Sequence, residues 1–214
     1  MSIQDLIDAA VPGSIVDVQP GIYNEQLIID KKLILQGPSP GEGTATIDAT
    51  GLDDIPVIQI LGDDVTIRRL TIQNGPLHGI QVGSTSHPNL SNITISHNHI
   101  KGQGNAGILT NSNASMLIKN NIIENNGLGS GFNRNGIVLY PHGKTDIINN
   151  TIANNAVDGI FARASSKGLL IENNVIKHHA NSGISLAMDQ RNTSIINNQI
   201  KNCGTGNFDE EGGI

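Results

Sequence analysis

The chain has 214 residues, of which 37% are hydrophobic and only 2% aromatic, with 25 glycines, one cysteine and a formal net charge of -6. One domain is the expectation at this length, and Cys203 standing alone excludes an internal disulfide. The dispersed Lys and Arg argue against nucleic acid as a partner, and no apolar run is long enough to span a bilayer.

At the N-terminus, Ser2-Ile3-Gln4-Asp5 fits a capping box, and Leu6, Ile7 and Ala10 supply one apolar face. Residues 2–10 therefore read as a short helix covering the open end of a core. No basic-then-apolar signal-peptide pattern precedes it. Strands are expected at Ile15–Val18, Tyr23–Ile29 and Leu33–Gln36, with a Pro20-Gly21 turn between the first two. The segment 37–44, rich in Pro and Gly, reads as an excursion rather than a linker.

From there the chain repeats. Gly-Ile recurs at Gly79-Ile80, Gly107-Ile108, Gly136-Ile137, Gly159-Ile160, Gly183-Ile184 and Gly213-Ile214, at spacings of 28, 29, 23, 24 and 30. Between these marks runs Ile-x-x-Asn-x-Ile, with central residues Asn98, Asn121, Asn150, Asn174 and Asn198. Ile67 to Ile72 is an earlier copy with Leu70 in the Asn slot. Constant motifs at a varying period are the mark of a solenoid whose coils carry insertions on one side. The β-branched content favours strands, and no later segment keeps apolar residues at helical spacing. The reading is all-β: one right-handed parallel β-helix over residues 1–214 with a short N-terminal capping helix. The Asn column is assigned to a corner, where Asn tolerates left-handed angles and stacked amides bond along the column.

With Ile and Val of the Gly-Ile-x-Val strands pointing inward, alternate residues line an outer face. One outward column is Gln81, Leu109, Val138, Phe161 and Ser185; the next is Gly83, Asn111, Tyr140, Arg163 and Ala187; a third is Thr85, Asn113, His142, Ser165 and Asp189. Coils stack about 4.8 Å apart. Tyr140, His142, Phe161, Arg163 and Asp189 would thus share one patch, with Asn111 beside it. His142, Arg163 and Tyr140 are the candidate catalytic residues; Phe161, Asp189 and Asn111 are the candidate substrate-binding residues. Residues 127–135 form a long polar insertion placed to wall this face. Pro141-His142-Gly143 also reads as a simple turn. His97, in a column with Asn120, Asn149, Asn173 and Asn197, reads as a turn residue, and His99 as an exposed one. His178-His179 has no Cys or carboxylate at metal-ligand spacing. No metal site or cofactor is expected, with Asp209-Glu210-Glu211 a weak source of oxygens for calcium.

On these repeats, on the opening Ile3 to Gly37 with Pro20-Gly21-Ile22-Tyr23, and on Tyr140-Pro141-His142 followed by Arg163, the chain resembles the pectin-lyase-like superfamily. The branch it resembles is that of alginate C5-epimerases and NosD-like proteins. Tyr140 stands where the epimerase Asp-Pro-His motif has its Asp. The resemblance implies a carbohydrate-active protein at a cell surface or outside the cell, acting on or binding an acidic polysaccharide, as a polyuronate C5-epimerase or lyase. In that chemistry Arg163 would neutralise the substrate carboxylate, and His142 or Tyr140 would move the C5 proton. The other reading is a non-catalytic structural or adhesive module of a surface, spore or phage-tail assembly. Ending at Gly213-Ile214, the last coil is expected to be uncapped and open to self-association or a further domain.

Overall fold

The computed structural model describes residues 2–165, 168–190 and 192–204, without the side chains of residues 164, 165, 189 and 190. The last Gly-Ile pair and the acidic run Asp209-Glu210-Glu211 lie outside the described residues, as does the expected open edge at Ile214.

A single helix, Ile3–Ala9, opens the chain. Ser2 Oγ accepts from Asp5 N and the Asp5 carboxylate accepts from Ser2 N, both at 3.0 Å. The Glu25 carboxylate accepts from two further N-terminal donors, Ile3 N and Gln4 N. Ile3 and Ile7 are completely buried over the end of the core. Gln4 also acts as a substitute strand: its Oε1 accepts from Ile28 N and its Nε2 donates to Ile28 O. The first strand edge is thereby covered.

Three parallel sheets follow, of eight, eight and seven strands. Sheet A holds Ile15–Asp17, Leu33–Gln36, Val65–Arg68, Ile93–Ser96, Met116–Lys119, Thr145–Ile148, Leu169–Glu172 and Thr193–Ile196. Sheet B holds Gly21–Tyr23, Ala45–Asp48, Leu70–Gln73, His99–Lys101, Ile122–Glu124, Thr151–Ala153, Val175–Lys177 and Gln199–Lys201. Sheet C holds Leu27–Ile29, Ile58–Ile60, Ile80–Val82, Ile108–Thr110, Ile137–Leu139, Ile160–Ser165 and Ile184–Gln190. Each coil runs A, B, C and back to A, making a right-handed parallel β-helix. The expected strand Tyr23–Ile29 is two strands, because the chain changes sheets at Asn24-Glu25-Gln26. The amides of Asn24 and Gln26 satisfy carbonyls of the next coil there, Asp48 O and Asp53 O.

The interior is a set of aligned ladders. Ile67, Ile95, Ile118, Ile147 and Ile171 stack in sheet A; Ile72, Ile100, Ile123, Ile152 and Ile176 in sheet B; Ile80, Ile108, Ile137 and Ile160 in sheet C. All are fully buried. Short Ile-rich strands suffice because each side chain meets its counterparts above and below.

The A-to-B corner divides its work between two columns. The left-handed angle belongs to Arg69, His97, Asn120, Asn149, Asn173 and Asn197, with φ between 54° and 57°. It does not belong to the next column, as the sequence reading had it. Asn98, Asn121, Asn150, Asn174 and Asn198 form the amide ladder instead. From Asn121 on, each Oδ1 accepts from the backbone N–H and the Nδ2 of the rung before it, at 2.8 to 3.2 Å. Each Nδ2 also reaches a sheet A carbonyl, as Asn150 does with Ile118 O at 2.9 Å. Leu70, in the Asn slot of the earlier coil, starts the column by donating its N–H to Asn98. A second ladder runs through the B-to-C corner as Gln103, Asn126, Asn155 and His179.

Candidate functional site

The outer face of sheet C is built from the register expected of it. Gln81, Leu109, Val138, Phe161 and Ser185 pair in one column, and Arg163 pairs with Ala187 in the next. Asn111 and Tyr140 follow the strand ends, held by Asn111 N to Val82 O and Tyr140 N to Thr110 O. The face is not open throughout, however. Leu109 and Val138 are buried with Ala106 in a small cluster outside the solenoid, and Tyr140 and Phe161 pack against it.

Tyr140 and Phe161 meet edge to face, with ring centroids 5.6 Å apart and planes at 72°. This geometry suits the ring quadrupoles. The Tyr140 hydroxyl donates to Asn133 Oδ1 at 3.1 Å, tying the loop 127–135 to this face. The loop also rests on the preceding coil, through Leu128 N to Gln103 O and Gly129 N to Gly104 O. Near its tip Phe132 is wholly exposed and Leu128 largely so. Arg163 is exposed beyond Phe161. Burial pushes the Tyr140 phenol above its ordinary range, and the Arg163 charge opposes that shift only in part. The hydroxyl is therefore a proton donor at neutral pH, not a base.

Two expected members of the patch stand elsewhere. His142 is completely buried rather than outward-facing. The strand ends at Leu139, and the chain turns inward at Pro141 on its way to sheet A. The His142 Nδ1 lies 2.9 Å from Gly143 O, and burial holds the imidazole pKa below its usual value. Asp189 is displaced by a bulge: Arg163 pairs with Ala187, but Ser165 pairs with Gln190. Met188 takes a left-handed φ of 66° there, which breaks the alternation on which the Asp189 placement rested. The side chain of Asp189 lies outside those described. Asn111 is exposed on the coil before Tyr140, as expected.

Five further histidines sit at corners, in the ladder or in side-chain pairs. His97 occupies a left-handed corner position. His99 is half-buried and pairs with Glu124 at 2.9 Å. His178 is the left-handed residue at its corner, and His179 is a buried ladder rung. Its Nδ1 accepts from Asn155 N and its Nε2 donates to Ile152 O, so the ring is neutral. His78 is also buried, mainly for which its pKa falls to about 4. Among the described residues, no three His, Cys, Asp or Glu side chains gather in a way that would hold a metal ion, and no helix is long and apolar enough to cross a membrane. Sequence reasoning missed Phe132; the only signal for it was its place in an insertion beside the patch.

Comparison with known proteins bears on the fold. The family model described as right handed beta helix region matches residues 56–214. No curated protein matches significantly. Among solved structures, pectate lyase Pel9A superposes with a TM-score of 0.77 at 17% identity, over 92% of this chain and 56% of that one. The chain thus spans little more than half of that enzyme's length. An alginate lyase from Paenibacillus sp. str. FPU-7 gives a TM-score of 0.63 at 14% identity, over 96% of both chains. The Streptococcus pneumoniae surface protein and adhesin PfbA gives 0.55 at 15% identity, over 89% of this chain and 65% of that one. These similarities show the parallel β-helix fold.

Proposed function

The chain belongs to the right-handed β-helix family, and on that premise we propose that it is a carbohydrate-active protein holding an acidic polysaccharide against the outer face of sheet C. The observation that carries this reading is the grouping of Tyr140, Phe161 and Arg163 at neighbouring outward positions, beside a loop that presents Phe132. Aromatic rings offer flat apolar surface with little entropy to lose, and a guanidinium grips a carboxylate through two parallel N–H bonds. Two proteins of similar fold are named a pectate lyase and an alginate lyase, which supports a polysaccharide as the ligand class.

A finer version makes the protein a polyuronate C5-epimerase or lyase. Arg163 would stabilise the charge that spreads onto the substrate carboxylate when the C5 proton leaves. Tyr140, protonated at neutral pH, would donate a proton to the opposite face or to the departing C4 oxygen. Burial of His142 removes the expected base from the surface. That observation favours the second reading, a non-catalytic module that binds glycan for structural or adhesive purposes.

Proton NMR of the protein with a panel of polyuronates in deuterated water, with and without calcium, tests both. Deuterium at C5 identifies an epimerase, and unsaturated ends identify a lyase. Neither, with saturable binding that Arg163→Ala weakens at least tenfold, identifies the binding module. Absence of binding to every polyuronate overturns the proposal.

A further inference from the structure

A second concentration of chemistry lies at the A-to-B corner, away from sheet C. The excursion 37–44 leaves sheet A after Gln36 and rejoins sheet B at Ala45. Against it opens a cleft of roughly 440 Å³ whose lining includes Pro40, Arg68, Arg69, His97 and Lys119. The topology brings these residues together. Arg68, Ser96 and Lys119 are register partners on successive strands of sheet A, so Arg68 and Lys119 stand about 10 Å apart along the axis. Arg69 and His97 occupy the left-handed corner position of adjacent coils.

The positive charge of this cleft is not balanced from within. Arg68 directs Nε and Nη2 to Gln36 Oε1, and Arg69 directs Nε to the Gly37 carbonyl at 3.1 Å. Both acceptors are neutral. The ion pairs among the described residues are Lys32–Asp64 and Lys144–Asp146, and His99 bonds to Glu124; none of these includes Arg68, Arg69 or Lys119. Asp17 and Glu42 line a neighbouring cleft with Arg69 and accept from Gln36 and from Ser39 N, and Glu172 stands two strands from Lys119 in sheet A. Three cations line this cleft with no carboxylate in its own lining, in a chain of 19 acidic and 13 basic residues, and they repel one another.

Arg69 adds an independent observation. Its φ is 57°, at a position that Asn120, Asn149, Asn173 and Asn197 fill in later coils. A long side chain is disfavoured in that region, whereas Asn is at ease there. The backbone would be better served by Asn, so the guanidinium is what the position gains.

We infer that this cleft binds an oxyanion of carboxylate, sulfate or phosphate type. Arg69 and Arg68 present their remaining guanidinium N–H donors to it, and Lys119 supplies a point charge. Gln36 and Gly37 O hold the two guanidinium groups in place. The group is either a free anion or one carried by a larger ligand. None of these residues lies on sheet C, so the inference stands or falls independently of the polysaccharide reading.

The test follows the arginine Nε–Hε NMR signals of the whole chain during titration with sodium sulfate, sodium phosphate and sodium galacturonate, with ionic strength held constant by chloride. Saturable shifts of Arg68 and Arg69 are expected with at least one probe. Sulfate or phosphate without galacturonate points to a tetrahedral oxyanion, and galacturonate to a carboxylate. Arg69→Asn is expected to weaken binding at least tenfold while the melting temperature stays level or rises. Lys119→Gln should weaken it at least threefold, and decides the matter if Arg69→Asn does not fold. Signals unmoved by all three probes, or variants that bind as tightly as the unaltered chain, overturn the inference.

Discussion

The A-to-B corner and the return from sheet C to sheet A do the same job of turning the chain, yet they are built in opposite ways. At the first, every coil from Arg69-Leu70 to Asn197-Asn198 spends one left-handed residue and one rung, and only the coils before them turn otherwise, through 18–20 and the excursion 37–44. At the second, the path from one coil to the next varies in length: three residues at 30–32, four at 61–64, ten at 83–92, and five at 111–115 and 140–144. The comparison teaches where this solenoid has freedom. A corner closed by side-chain bonds between coils tolerates almost no variation, because a changed rung leaves its neighbours unpaired. Among the described residues the return path carries no such ladder, and Tyr140 lies on it beside Phe161 and Arg163 of sheet C.

The sharpest way to break the comparison is to remove one rung. Asn150 accepts from Asn121 N and Nδ2 and donates to Ile118 O and Asn174 Oδ1, all buried. Asn150→Ala takes the acceptor from Asn121 N and one bond each from Asn121 Nδ2, Ile118 O and Asn174 Oδ1, of which Asn121 Nδ2 keeps Ile95 O and Asn174 Oδ1 keeps the residue-150 N–H; it is expected to cost about 2 to 3 kcal/mol, read by urea denaturation. A loss under about 1 kcal/mol would show that water replaces the amide and that the corner is less rigid than its geometry implies.

The histidine rung sharpens the contrast through pH. Burial lowers the pKa of His179 most, and its bonds to Asn155 and Ile152 oppose that shift. Above the ordinary imidazole value of 6.5 both folded and unfolded states are neutral at this position. As pH falls below that value the unfolded chain takes up the proton first, so stability is present above it and is lost toward the lower, folded value. His78 acts in the same sense, over a window reaching down to about 4. A falling melting temperature from pH 7 to 4 is expected, with a shallower fall in His179→Asn. That variant restores the residue found at Asn126 and Asn155. Parallel curves for the two proteins would mean that His179 is not neutral in its rung.

The smallest effects on stability belong to the outer face. Phe161→Ala removes the contact with Tyr140 and is expected to cost about 1 to 2 kcal/mol. Arg163→Ala, at an exposed position, should stay within about 0.5 kcal/mol of the unaltered chain. If these two variants keep the fold while polyuronate binding weakens, the return side carries function without carrying stability. Arg163→Ala unfolding as readily as Asn150→Ala would erase the distinction between the two regions.

The periodic part of the molecule was legible in the chain itself. Ile95, Ile118, Ile147 and Ile171 announce a stacked column because the same side chain recurs at the same offset from Asn98, Asn121, Asn150 and Asn174. In a solenoid, that offset is the coordinate across the sheet. The pairing of Val138 with Phe161, and of the helix cap Ser2 with Asp5, followed from the same local rules. Tertiary structure alone decided the rest. His142 entered the interior because the strand ended at Leu139, and alternation carries no information past a strand end. Asp189 left its column because the bulge at Met188 shifted the register by one residue. Leu109 and Val138 became buried on an outward face because tertiary packing covers that side. Arg68, Arg69 and Lys119 met in one cleft because coils 23 to 32 residues apart in sequence lie one strand apart in space. Repetition transmits position through the chain, but only the closed coil brings unlike residues together.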